Sequence, residues 1–333
     1  MTDMVADLAA SPALYPWSLD LERRAVLLVR MDEADYRASS FLDERIVTRD
    51  RRGQWLALAA LDQALGARRP APLHFIFHCG HVGSTLLSRL LDESDRVLSL
   101  REPVPLRLIA QAHDAGAPDL DALLESLLGL WERGFPHTDA VVLKATSAAE
   151  RLAPRLLTLR PRARAVMLNV AAETYLATML AGENSATELN AQGPERFHRL
   201  SKLLGAPPPR PATLGQLAAM SWLAERLTQR GIELAFPERV LSIDFDAMLR
   251  GLDVALGRVF AHFQIPLAAE RVAAIAGGPV LSRYSKAPEH GHSPRLRGEL
   301  LAQARGNYPN EIRTSLGWLA ALAQSHPVVA ALL

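Results

Sequence analysis

The sequence predicts a three-layer α/β fold, with a mostly parallel central sheet and helices on both faces. Three observations predict it. Five short runs, Leu73–Phe77, Val97–Leu100, Ala140–Leu143, Arg164–Leu168 and Arg239–Ile243, have the length and aliphatic content of buried parallel strands. Segments with leucines at helical spacing alternate with them, which is the pattern of βαβ units. The chain has 333 residues, 49% of them hydrophobic, enough for a large core.

Taken in order, residues 1–15 read as loosely ordered. Ala25–Val29 is a predicted strand, Asp35–Arg45 a helix and Trp55–Leu65 a second helix. The run Arg68-Arg69-Pro70-Ala71-Pro72 is a breaker. It divides an N-terminal appendage, residues 1–70, from an α/β domain with C-terminal helices, residues 71–333. Covering a sheet edge, capping a ligand site and forming a homo-oligomer contact are all open roles for the appendage. Predicted helices follow at about 104–114, 119–133, 148–159 and 172–182. Glu183–Gly193 is polar and loop-like, and Glu195–Leu204 is a short helix. Pro207–Pro211 is a stiff surface segment. Thr213 caps a helix that reaches Gln229. Helices at 252–263 and 267–276, a polar loop over Ser282–Pro294, and helices at 295–305 and 309–324 complete the chain.

Composition excludes several function classes. The formal net charge is +1, so there is no bulk electrostatic case for nucleic acid. One cysteine, Cys79, rules out a disulfide framework and points to a reducing compartment, the cytoplasm. In its loop a small buried packing residue is expected rather than a reactive thiol. The first residues have no basic, then apolar, leader pattern, and no run of about 18 apolar residues predicts a membrane span. His78, Cys79 and His81, and separately His290 and His292, lack standard metal-finger spacing, so no metal site is expected.

The chemistry concentrates on Leu73–Leu91, LHFIFHCGHVGSTLLSRLL. A buried strand passes through Gly80 and Gly83 into a leucine-rich helix. The N–H groups of Gly80, His81, Val82 and Gly83, the helix dipole and the hydroxyls of Ser84 and Thr85 make an anion cradle. It is not a Walker A loop: Gly83 is followed directly by Ser84, and His78 stands where the first glycine belongs. Two charged groups end neighbouring strands, Glu102 in Arg101-Glu102-Pro103 and Lys144 in Lys144-Ala145-Thr146. Carboxyl ends of parallel strands are where α/β sheets hold ligands.

His81-Val82-Gly83-Ser84-Thr85 resembles the 5′-phosphosulfate loop, roughly [KR]-x-G-[TS]-[TS], of sulfotransferases that use 3′-phosphoadenosine-5′-phosphosulfate (PAPS). The resemblance covers about residues 73–260. It implies a P-loop-like fold, PAPS as donor with PAP as product, no required metal, and sulfuryl transfer to a hydroxyl or amine of a small-molecule or glycan acceptor. It assigns the donor's 5′ end to Gly80 through Thr85. Glu102, 21 residues after His81, then matches the spacing of a general base, and Lys144 matches a strand-end lysine at the reaction centre. Three positions depart from the family. His81 replaces its Lys or Arg, Ala145-Thr146 lacks its proline, and Asn169 stands for the arginine that holds the 3′-phosphate. Thr178 lies near the family's serine, and Arg283 and Lys286 fit its late basic loop. Two alternatives stay open: a non-catalytic nucleotide-binding or regulatory protein on this fold, and a P-loop phosphotransferase of unusual motif.

Overall fold

The structure, a computed structural model, describes residues 11–46, 52–65, 70–284, 287–291 and 294–333. The chain begins with β1 (Leu14–Asp20), β2 (Ala25–Arg30), α1 (Glu33–Ala38), β3 (Gly53–Ala57) and α2 (Leu58–Leu65). Next come β4 (Leu73–His78), α3 (Ser84–Asp92), β5 (Val97–Arg101), α4 (Val104–Asp114) and α5 (Leu120–Trp131). β6 (Ala140–Lys144), a 3₁₀ segment (Ser147–Leu152), α6 (Ala153–Leu159) and β7 (Ala165–Asn169) follow. Then come α7 (Ala172–Ala181), α8 (Ser185–Leu204), α9 (Leu214–Ala235), β8 (Val240–Asp244) and α10 (Phe245–Arg250). The chain closes with α11 (Leu252–His262), α12 (Ala269–Ala276), β9 (Arg283–Tyr284), β10 (Ala287–Gly291), α13 (Pro294–Asn307), α14 (Pro309–Ser325) and α15 (Pro327–Ala330).

The five strands read from the sequence form one parallel sheet in the order β5-β6-β4-β7-β8, flanked by helices. The register pairs Leu73 with Val141 and Ile76 with Lys144, and Arg101 with Lys144 on the other side of β6. Every residue of β4, β5, β6 and β7 is buried, which is why these strands carry no polar alternation. Among the described residues, no helix is long and apolar enough to cross a membrane.

Two compact units divide the chain. One holds the described residues up to Phe77, Ser84–Val166 and those from Leu252 to His290. Its N-terminal strands form an antiparallel sheet, β1-β2-β3, and Arg133 donates to the carbonyls of Ser11 and Leu14. The second holds His78–Gly83, Met167–Gly251 and the described residues from Gly291 onward. Its centre is α9, whose Trp222 indole donates to Val170 O (2.9 Å) and whose Gln229 donates to Leu168 O (3.2 Å).

Five sequence readings change. Leu14 and Tyr15, read as loose, are buried in β1. The helix read over Asp35–Arg45 stops at Ala38, because Ser39 Oγ donates back to Asp35 O (2.7 Å) and the backbone turns extended. Trp55 to Ala57 lie in β3 rather than in a helix, since β2 offers a pairing partner (Leu27 opposite Trp55). Glu183–Gly193 is not a loop: from Ser185 it is the first half of α8, with Pro194 inside the helix. There the buried Arg196 donates to Glu225 of α9 (2.8 Å), a tertiary tie that outweighs the local breakers. The polar loop over Ser282–Pro294 contains β9 and β10, paired in a two-stranded sheet.

Candidate active site

The loop after β4 turns on three left-handed residues, Gly80 (φ 94°), His81 (φ 54°) and Gly83 (φ 71°). Gly83 has no substitute: a Cβ there would stand 2.0 Å from Cε2 of Phe245, at the start of α10. His81 is an L-residue in the same region, at a cost of roughly 1–2 kcal/mol. Local bonds fix the turn. His78 Nδ1 accepts from the Gly80 N–H (3.1 Å), and the Cys79 N–H donates to Leu168 O of β7 (3.2 Å). Cys79 and Val82 are wholly buried.

Three side chains around this loop were not legible in the sequence. Glu188 of α8 accepts from His81 Nε2 at 2.8 Å. Tyr175 of α7 is buried, and its hydroxyl has no hydrogen-bond partner among the described residues. Burial pushes that phenol up; Arg196 opposes the rise, while Cys79, Glu188 and Glu225 add to it. Arg297 of α13 lies over the Phe245 ring, 5.0 Å from its centroid, and pairs with Asp246 at 2.7 Å. A carboxylate 107 residues from its histidine leaves no local signal, and an arginine in a polar helix looks like any solvated one.

Ser84 and Thr85 open α3, both buried. Thr85 Oγ1 has no hydrogen-bond partner among the described residues. An orphaned hydroxyl beside free helix N–H groups is the donor set that an anion satisfies.

A second cluster sits at the carboxyl ends of β5 and β6. Lys144 is wholly buried and its ammonium is ion-paired with Glu102 Oε1. The Glu102 N–H donates to Lys144 O (2.7 Å), and Glu102 itself is left-handed (φ 55°). Strained backbone at a strand end, holding a carboxylate on a buried lysine, is what functional sites store. Phe41 closes this cluster, its ring centroid 5.3 Å from Lys144 Nζ, while the Leu42 N–H bonds to Arg101 O (2.7 Å). Arg101 does not pair with Glu102. Its wholly buried guanidinium is ion-paired with Asp92 and donates to Ser88 Oγ (3.1 Å), Tyr36 O and Ser39 O (both 2.8 Å). Burial pulls Arg101 down to about 9, with Arg89 and Arg37 adding to the effect.

The remaining sequence candidates stand apart from both clusters in their bonding. Asn169, at the end of β7, donates to Ser242 Oγ of β8 (3.1 Å). Thr178 donates to Thr174 O one turn back in α7 (2.8 Å). Each already spends a donor within the fold. Arg283 contributes backbone to β9, but its side chain and all of Lys286 lie outside the described residues.

Solved sulfotransferases resemble this chain. One is a sulfotransferase domain from the curacin biosynthetic pathway, 13% identical over 76% of this chain and 99% of that one, with a TM-score of 0.42. A second is mouse sulfotransferase SULT7A1 complexed with PAP, 13% identical over 83% of this chain and 92% of that one, TM-score 0.43. A third is sulfotransferase STF9 from Mycobacterium avium, 13% identical over 75% and 81%, TM-score 0.41. No protein-family model matches the chain, and neither does any curated protein.

Proposed function

We propose that this protein is a sulfotransferase that moves a sulfuryl group from PAPS to a hydroxyl or amine of a small-molecule or glycan acceptor. The observation that carries the reading is the Glu102–Lys144 pair at the ends of two adjacent parallel strands, one member strained and the other wholly buried. The phosphate loop supports it through the orphaned Thr85 hydroxyl and the left-handed Gly80, His81 and Gly83. The residues present fit the 5′ end of the donor; Asn169 and Thr178 offer no comparable fit to a 3′-phosphate.

In this reading the N–H groups of Gly80 to Gly83, with Ser84 and Thr85, hold the donor's 5′-phosphosulfate by charge-assisted hydrogen bonds. PAPS, when bound, supplies an activated sulfuryl group. Glu102 takes the acceptor's proton as the acceptor oxygen or nitrogen forms its bond to sulfur. Lys144 holds the carboxylate in place. We assign the described part of the N-terminal appendage to the acceptor side of this cluster, with Phe41 as its contact.

The test is a transfer assay with radiolabelled PAPS against phenols, alcohols, amines and glycans. Glu102→Gln cannot take a proton, so turnover is expected to fall roughly 10²–10⁴-fold while PAP affinity holds. Full activity of Glu102→Gln removes it as the base. Binding of Mg-ATP but not of PAP would favour a phosphotransferase.

A further inference from the structure

His81 stands where the resemblance calls for a permanent cation, and it is held by Glu188. This inference rests on the proposed donor site and deepens it. A carboxylate has no hydrogen to give, so in the His81 Nε2···Glu188 Oε2 contact at 2.8 Å the imidazole is the donor. Neutral His81 therefore carries its single proton on Nε2. Nδ1 is then a lone pair, which repels an anion. Only the imidazolium offers an N–H on Nδ1 to a phosphate while keeping Glu188 on Nε2.

We propose that Glu188 is the positioning residue of a proton-coupled anion clamp: by fixing the tautomer of His81, it makes binding of the donor's phosphate require uptake of one proton. The contact with Glu188 holds the ring, and 28% side-chain exposure leaves it reachable by solvent protons. Among the described residues, other titratable groups lie around the pair. From its own loop come Cys79 and His78, and His78 Nδ1 is already an acceptor for the Gly80 N–H. From α7 comes Tyr175, whose phenol burial keeps protonated, and behind it lie Arg196 and Glu225, joined in an ion pair at 2.8 Å. Tyr175 keeps its proton, so a hydrogen bond from it to a ligand would take up no proton, and Arg196 and Glu225 are spent on each other. A permanent lysine or arginine would bind at any pH, whereas this pair ties donor binding to a proton on His81.

The experiment is titration calorimetry with PAP, repeated in buffers of different ionisation enthalpy from pH 6 to 8.5. Wild type is expected to take up close to one proton more than His81→Arg, and to lose up to tenfold in affinity per pH unit at the alkaline end. PAP's own phosphate titration is common to both and cancels. His81→Arg should bind throughout the range. Glu188→Gln can donate to Nε2 and release Nδ1–H, so the excess uptake and the pH slope should vanish while binding remains. A wild-type uptake equal to that of His81→Arg overturns the proposal and leaves the sulfotransferase reading standing. Absence of PAP binding at every pH sinks the donor-site reading instead. The clamp is then judged by ¹⁵N shifts of the His81 ring: Nδ1–H as the neutral tautomer in wild type, or no tautomer change in Glu188→Gln, overturns it.

Discussion

At the scale of single residues, Gly83 separates two effects that usually travel together. It is left-handed, and the space beside its Cα is filled by the Phe245 ring. Gly116 is equally left-handed (φ 72°), but a Cβ there would meet nothing within 4 Å. Gly116→Ala should therefore cost only the conformational strain, roughly 1–2 kcal/mol. Gly83→Ala must also displace a buried aromatic and shift the loop. It is expected to lower Tm well beyond Gly116→Ala and to weaken PAP binding at least tenfold, as read by thermal melts and calorimetry. Equal losses at the two positions would show that Phe245 yields freely. The glycine itself was legible in the sequence from its place in the loop. What fills the space beside it was not, because Phe245 lies far along the chain.

At the scale of elements, α8 shows how a helix can be set from outside itself. Its polar first half and internal Pro194 read as a loop. Buried Glu225 of α9 accepts from Arg196 and Arg199 of α8 (2.8 and 2.9 Å), and those bonds hold the element. Burial favours the neutral acid at Glu225, but Arg199 and Arg196 overrule it and keep the carboxyl well below its ordinary range. Glu225→Gln removes the buried charge shared by Arg196 and Arg199, of which Arg199 keeps Glu195 (2.9 Å), and a loss of about 3–5 kcal/mol is expected in urea unfolding. A loss under 1 kcal/mol would mean that solvent reaches the pair. The contrast with β4 and α3 is physical. There, a run of buried aliphatics and leucines at helical spacing is written locally, so the phosphate loop was readable; α8, which brings Glu188 to His81, depends on a partner in another helix.

At the scale of the whole molecule, stability should turn on a histidine in the central sheet. His74 of β4 stacks on Phe263 (4.9 Å between centroids, 12° between planes), and its Nδ1 accepts from the Arg164 N–H (3.2 Å). Burial, with His262 and Arg164 close by, pulls the imidazole down to about 4. The unfolded chain binds that proton near pH 6.5, whereas the folded chain refuses it until about pH 4. This contribution is therefore whole above pH 6.5 and is lost as pH falls towards 4, on the order of 3 kcal/mol in all. His74→Gln should flatten the decline over that window in denaturant titrations, and an unchanged acid limb would assign the decline to other groups. In the sequence His74 stands inside the apolar run Leu73–Phe77, with nothing beside it to mark what it packs on. Its stacking partner belongs to the segment after α11, where no local pattern announces it.

The sole cysteine of the chain makes the loop's opening a countable event. Cys79 is wholly enclosed and hydrogen-bonded through its backbone to β7. A thiol reagent in excess can react only during the fraction of time that the loop is lifted from its seat. The ratio of that slow rate to the rate of an exposed thiol is the population of the opened state, hence its free energy. The unmodified protein thus carries its own clock for the breathing of one turn, running independently of global unfolding wherever opening is local.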